Sequence, residues 1–202
     1  MKRITKAVLG GLGGCGLILG ATQAATGEAP VGYSIGSSEV VNYDYDSEDL
    51  VDLQLTTDGP FDGASATLKI KESSEDFSSD FKFQVSGIKS SAGTEFGAHL
   101  HTGECVKGAG ALAGPHYNAG GGISEETEVW FSLVPNDKGL ATSSAEVPFV
   151  PKDSPSTDKT LPLPNPGIMS IVIHVAPTNP VDGSASFRQA CFPLEVPQWA
   201  ND

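Results

Sequence analysis

Short runs in which apolar and polar residues alternate recur along most of the chain, and turn residues separate them. Alternation with a period of two marks strands with one buried face. Asp49 to Leu55 has Leu50, Val51, Leu53 and Leu55 as its apolar set, after which Gly59-Pro60 and Asp62-Gly63 punctuate. Ala64 to Lys71 and Phe81 to Val85 alternate cleanly. Further strands are expected over Glu95 to Thr102, Glu128 to Val134, Leu140 to Phe149, Ile168 to Val175 and Ala185 to Val196. Asn136-Asp137-Lys138-Gly139 predicts a hairpin turn. About eight short strands without a convincing helix predict an all-β antiparallel sandwich or barrel.

Three stretches fall outside this pattern. Residues 25–47 are polar and rich in Gly, Ser and Asp, with aromatics only at Tyr33, Tyr43 and Tyr45, and read as a flexible tether or a loosely attached extra strand. Lys107 to Thr127 is a Gly/Ala-rich loop with His116 in its middle. Lys152 to Pro166 is polar and Pro-rich, as a surface loop is. The folded domain is therefore expected over residues 48–202.

The first residues have the form of an export signal. Lys2, Arg3 and Lys6 precede a weakly apolar stretch from Ala7 to Ala21, and small residues follow through Ala25. Thr22 and Ala24 fit a small-x-small cleavage site, giving a signal over residues 1–24. Leu12-Gly13-Gly14-Cys15 instead resembles a lipobox, in which Cys15 is acylated and anchors the protein to a membrane. Beyond this segment no apolar run approaches the roughly 18 residues that span a bilayer. The chain carries 12 Lys+Arg against 25 Asp+Glu, a formal net charge of -13. A surface of that sign repels nucleic acid and anionic lipid, which excludes both as partners. It suits a soluble exported protein, secreted or held at the cell envelope.

Against this background the four histidines stand out. His99 and His101 are spaced i, i+2 on an expected strand, so both imidazoles project from one face. His116 lies in Gly114-Pro115-His116-Tyr117 and His174 ends Ile171-Val172-Ile173-His174. Imidazoles without clustered carboxylates suit copper, zinc or non-haem iron rather than calcium or magnesium. Cys15 aside, Cys105 and Cys191 form an even pair in a chain bound for an oxidising space. A disulfide between them is the favoured reading, with two buried thiols or a thiolate ligand beside His101 as the alternatives.

The order of these features resembles the copper/zinc superoxide dismutase family over residues 59 to 195. Gly59-Pro60-Phe61-Asp62-Gly63 before an alternating strand is similar to that family's early hairpin. Phe96-Gly97-Ala98-His99-Leu100-His101 resembles its copper strand, and Ala113-Gly114-Pro115-His116-Tyr117-Asn118 its Ala-Gly-Pro-His-Phe-Asn segment. Ser170 to His174 fits its late strand, and Arg188-Gln189-Ala190-Cys191 its Arg-x-Ala-Cys. The resemblance implies an eight-stranded Greek-key sandwich of immunoglobulin-like form. It also implies copper held by His99, His101 and His174, with His116 as the labile fourth ligand, and a Cys105–Cys191 disulfide. Arg188 is expected to guide superoxide, the small anionic substrate.

The departures narrow the expectation. Asn118 to Thr127, where zinc-bearing members place two further histidines and an aspartate, contains neither residue type. The stretch from His174 to Arg188 is also short. Zinc is therefore not expected, and the pattern resembles the family's copper-only exported bacterial branch, as does the start Glu128-Val129-Trp130. The leading expectation is a copper-dependent superoxide dismutase producing oxygen and hydrogen peroxide. The main alternative is a non-enzymatic copper-binding protein of the same fold for storage, delivery or sensing. A zinc hydrolase and a purely structural sandwich are the lesser ones.

Overall fold

The computed structural model describes residues 40–54, 58–73, 77–90, 92–151 and 168–195. The expected leader with Cys15 and the Lys152–Pro166 loop lie outside the described residues. Nine strands form two antiparallel sheets: β1 (Val40–Asp49), β2 (Val51–Asp52), β3 (Ser65–Ser73), β4 (Ser78–Ser86), β5 (Phe96–His101), β6 (Trp130–Leu133), β7 (Ala141–Val147), β8 (Ile168–His174) and β9 (Arg188–Glu195). One sheet runs β1-β3-β4-β7 and the other β2-β9-β8-β5-β6. The all-β expectation holds as two stacked antiparallel sheets. The described strands number nine, because residues ahead of the first expected run form β1 and that run itself supplies the two-residue β2.

Alternation accounts for the core. Leu68, Phe83 and Val85 from the four-stranded sheet meet Leu100, Phe131, Leu133, Ile171, Ile173 and Phe192 from the five-stranded one, all at most 2% exposed. Phe83 lies at the centre, its ring 5.4 Å from that of Phe131 and 5.7 Å from that of Phe192. Each such side chain stabilises the sandwich by about 1.5–3 kcal/mol relative to exposure.

One expectation needs correction and one is narrowed. Asn136-Asp137-Lys138-Gly139 is a turn, with Gly139 N–H bonded to the Asn136 carbonyl at 2.9 Å, but it joins no hairpin. It carries the chain from β6 in one sheet to β7 in the other, because Val129, Phe131 and Leu133 already face the shared core from the far side. Of the two readings of residues 25–47, the extra strand holds for residues 40–47, which belong to β1 and pair with β3 through Tyr43↔Ile70 and Tyr45↔Leu68. The Tyr45 ring supplies the reason: it packs on the core edge-on to Phe192, at 6.5 Å.

The central strands β5 and β8 are buried on both faces. Phe96, Ala98 and Leu100 of β5 and Met169, Ile171 and Ile173 of β8 join the core. The alternate residues His99, His101, Ser170, Val172 and His174 face away from it, yet are also buried. Loops cover that outer face. Residues 102–129 return over it through Thr102 N–H to Pro115 O (3.1 Å) and Tyr117 N–H to Leu100 O (2.7 Å). Residues 175–187 close the other side through Gly97 N–H to Ala176 O (2.8 Å) and Val175 N–H to Phe187 O (3.0 Å). A small apolar cluster of Leu53, Ala113, Val172 and Cys191 seals the layer beneath.

The Cys105–Cys191 disulfide ties the first of these loops to β9, with Cα atoms 5.6 Å apart and 86 residues between them in sequence. This resolves the alternatives for the two thiols: they bond to each other and ligate nothing. No helix among the described residues is long and apolar enough to cross a membrane.

Candidate metal centre

The four histidines come together. One ring nitrogen from each of His99, His101, His116 and His174 lies within 4.8 Å of the other three, a group that could hold a metal ion. β5 contributes His99 and His101 from one face, β8 contributes His174, and His116 reaches in from the loop through a bridge to His101. His99 and His101 are 0% exposed and His174 4%. The His116 side chain is the most open, at 22%.

Every imidazole is anchored through the nitrogen that points away from the cluster. His101 Nδ1–H donates to the Gly114 carbonyl at 2.9 Å, and His174 Nδ1–H to the Ser186 carbonyl at 3.0 Å. A carbonyl can only accept, so these contacts fix the tautomer and leave each Nε2 a lone pair. His116 Nδ1–H donates to Glu128 Oε2 at 2.8 Å, leaving its Nε2 free in the same way. His99 is reversed: its Nε2 meets the Thr178 hydroxyl at 2.8 Å and its Nδ1 faces inward. His99 Nδ1, His101 Nε2 and His174 Nε2 are all buried without a hydrogen-bond partner. Buried polar atoms are rarely left unpaired. Three such atoms aimed at one point are the signature expected of metal donors.

The backbone is shaped to provide these anchors. Gly114 sits at φ 71°, a left-handed conformation, and its carbonyl serves both His101 and Arg188. Ser186 also has positive φ, 65°, which directs its carbonyl at His174. A residue other than glycine in that region carries strain of the kind that concentrates at functional sites.

Electrostatics keep the three buried rings, His99, His101 and His174, neutral. Burial, reinforced by the charges of His116, His174 and Arg188, pushes His99 down to about 2. Burial likewise holds His101 well below the usual histidine range. His174 is pushed down to about 4, again by burial first, with the Ser186 bond opposing. Neutral imidazole is the form that ligates a metal.

Arg188, the first residue of β9, opposes His174 across the ladder next to a register shift. Its Nη1 donates to Gly110 O at 2.6 Å and its Nη2 to Gly114 O at 2.7 Å. No carboxylate neutralises it among the described residues; burial lowers its pKa, and a guanidinium in a protein keeps its charge. An open groove lined by Gln54, Gly110, Gly114, Pro115, Phe187 and Arg188 leads to it. Gln54 Nε2 donates to the Arg188 carbonyl, steadying that wall.

Glu128, which the sequence offered as a strand start and as part of the resemblance, is the partner of His116 that sequence alone did not name. It is 3% exposed and accepts from His116 Nδ1 (2.8 Å), Trp130 Nε1 (2.8 Å) and Asn118 Nδ2 (3.0 Å). Burial alone would raise its pKa, but the hydrogen bonds from His116, Asn118 and Trp130 outweigh it and the net direction is down. The signal was in the pattern: Glu128 and Trp130 alternate with the core residues Val129, Phe131 and Leu133, placing an acid on the histidine face. Glu125 and Glu126 are solvent-exposed.

No protein-family model matches the chain, and no curated protein matches it in sequence. What the fold and the geometry define is an all-β sandwich with a disulfide-tied loop and a four-imidazole candidate metal centre.

Proposed function

We propose that the protein is an exported copper-dependent superoxide dismutase whose copper is held by His99, His101, His116 and His174, with no zinc site. The observation that carries this reading is the convergence of four back-anchored imidazoles within 4.8 Å, with neither thiolate nor carboxylate among them. An all-nitrogen set suits a metal that alternates between a tetragonal and a lower-coordinate state, as copper does. Copper bound there supplies one-electron redox chemistry, by which two superoxide ions and two protons become oxygen and hydrogen peroxide. The protein's residues do the rest. Arg188 offers an unneutralised guanidinium at the groove, where it attracts and orients a small anion. His116, the most exposed ring, keeps its Nδ1–H on the Glu128 carboxylate, which holds its Nε2 toward the other three rings. Because Glu128 engages Nδ1, that nitrogen has no lone pair to offer a second cation, which supports a copper-only site. The disulfide accords with export to an oxidising space.

The test is copper loading of the mature protein followed by a superoxide-decay assay. Rapid decay that requires copper and falls in Arg188→Ala supports dismutation. A copper-loaded protein without superoxide-dependent turnover would instead select copper storage, delivery or sensing.

A further inference from the structure

Three of the four imidazoles rest on partners that can only accept a proton: the Gly114 carbonyl, the Ser186 carbonyl and the Glu128 carboxylate. Each therefore presents a fixed lone pair to the centre. His99 differs. Its outer partner is a hydroxyl, Thr178 Oγ1 at 2.8 Å, which can donate or accept. That hydroxyl makes no other hydrogen bond among the described residues, so it is free to rotate. Its approach depends on Gly97, two residues before His99 on β5, where a Cβ would lie 2.5 Å from Thr178 Oγ1 and 2.8 Å from Thr178 N.

We propose that Thr178 and His99 form a tautomer switch coupled to metal loading, with Thr178 as the residue that positions the proton. In the metal-free protein, His99 Nδ1 faces three inward lone pairs in a buried space. A fourth lone pair there is repelled and an N–H is attracted, so the proton resides on Nδ1 and the Thr178 O–H donates to Nε2. A metal ion needs the Nδ1 lone pair. On binding, the Nδ1–H bond breaks, an Nε2–H bond forms, and the hydroxyl rotates to accept from it. No net proton is gained or lost, and the exchange requires only solvent. An acceptor-only partner such as those of the other three rings would lock one tautomer and forbid this. Outer-sphere partners that set ligand orientation and tautomer typically change metal affinity 10–100-fold when lost.

This inference rests on the reading that the cluster binds a metal, and its test separates the two. Long-range 1H–15N spectra of the full chain labelled at histidine would be recorded metal-free and after anaerobic addition of Cu(I), which is diamagnetic. Nδ1-protonated rings at all four positions, with His99 alone becoming Nε2-protonated on loading, are the expected result. Thr178→Val should weaken Cu(I) binding by about 10–100-fold and Thr178→Ser should restore it. Binding with His99 Nε2-protonated in both states, or unweakened binding by Thr178→Val, would overturn the switch alone. No Cu(I) binding by the native protein would sink the metal reading and the switch together.

Discussion

Acidifying the metal-free protein from pH 7 to pH 5 should remove most of its stability. His99, His101 and His174 are all at most 4% exposed, and their folded-state pKa values lie far below the ordinary 6.5: about 2 for His99, about 4 for His174, and well lowered for His101. A group that is harder to protonate when folded binds its proton only in the unfolded chain, so falling pH favours unfolding. The stability is present above the unfolded value and is lost progressively below it, down to each folded value. At pH 5 an unfolded histidine of pKa 6.5 gains about 2 kcal/mol from protonation, against about 0.2 kcal/mol at pH 7. Three such groups therefore cost about 5–6 kcal/mol across the window, comparable to the whole stability of many domains. Glu128, lowered rather than raised, loses stability only as pH falls below the ordinary carboxylate range, so it does not mask the effect. Denaturant unfolding of the metal-free protein at half-unit pH steps would measure it. Unfolding near pH 5.5 should take up nearly three protons. Stability flat to within about 1 kcal/mol from pH 7 to pH 5 would refute the buried, neutral histidine triad.

Three further outcomes follow from named contacts. Glu128→Gln removes the charge that Trp130, Asn118 and His116 converge on and should weaken metal binding by about 10–100-fold in a chelator competition. In a His116→Ala background the same change should add nothing, and additive losses would show that Glu128 acts elsewhere. Replacing both Cys105 and Cys191 by Ser should lower stability in chemical denaturation by about 4–5 kcal/mol from loop entropy, given their separation of 86 residues. Arg188→Ala should leave copper content unchanged while slowing superoxide decay at least about 10-fold and flattening its salt dependence, and an unaltered rate would remove Arg188 from the account.

Much of this was legible in the chain because it depends on local periodicity. The His99-Leu100-His101 spacing specifies one face of β5 wherever the strand is placed, and the alternating runs place most strands. What escaped depended on relations between distant segments. The Asn136–Gly139 turn has hairpin chemistry, yet only the packing of Phe131 and Leu133 against the opposite sheet decides that it crosses between sheets. Tyr45 draws the expected tether into β1 through a contact with Phe192, far away in sequence. Thr178 and the left-handed Ser186 hold histidines from behind, and nothing local distinguishes a hydroxyl that faces a ligand from one that faces water, whereas Glu128 was marked only by its alternation with Val129 and Phe131.

The central claim is that four distant imidazoles share one redox-active ion. Electron paramagnetic resonance of the protein carrying one Cu(II) per chain tests it most directly, through the nitrogen couplings on the copper signal. The account predicts four imidazole nitrogens, with one lost in each of the His99, His101, His116 and His174 alanine variants. A signal that none of those substitutions alters, or failure to retain copper at all, would contradict it.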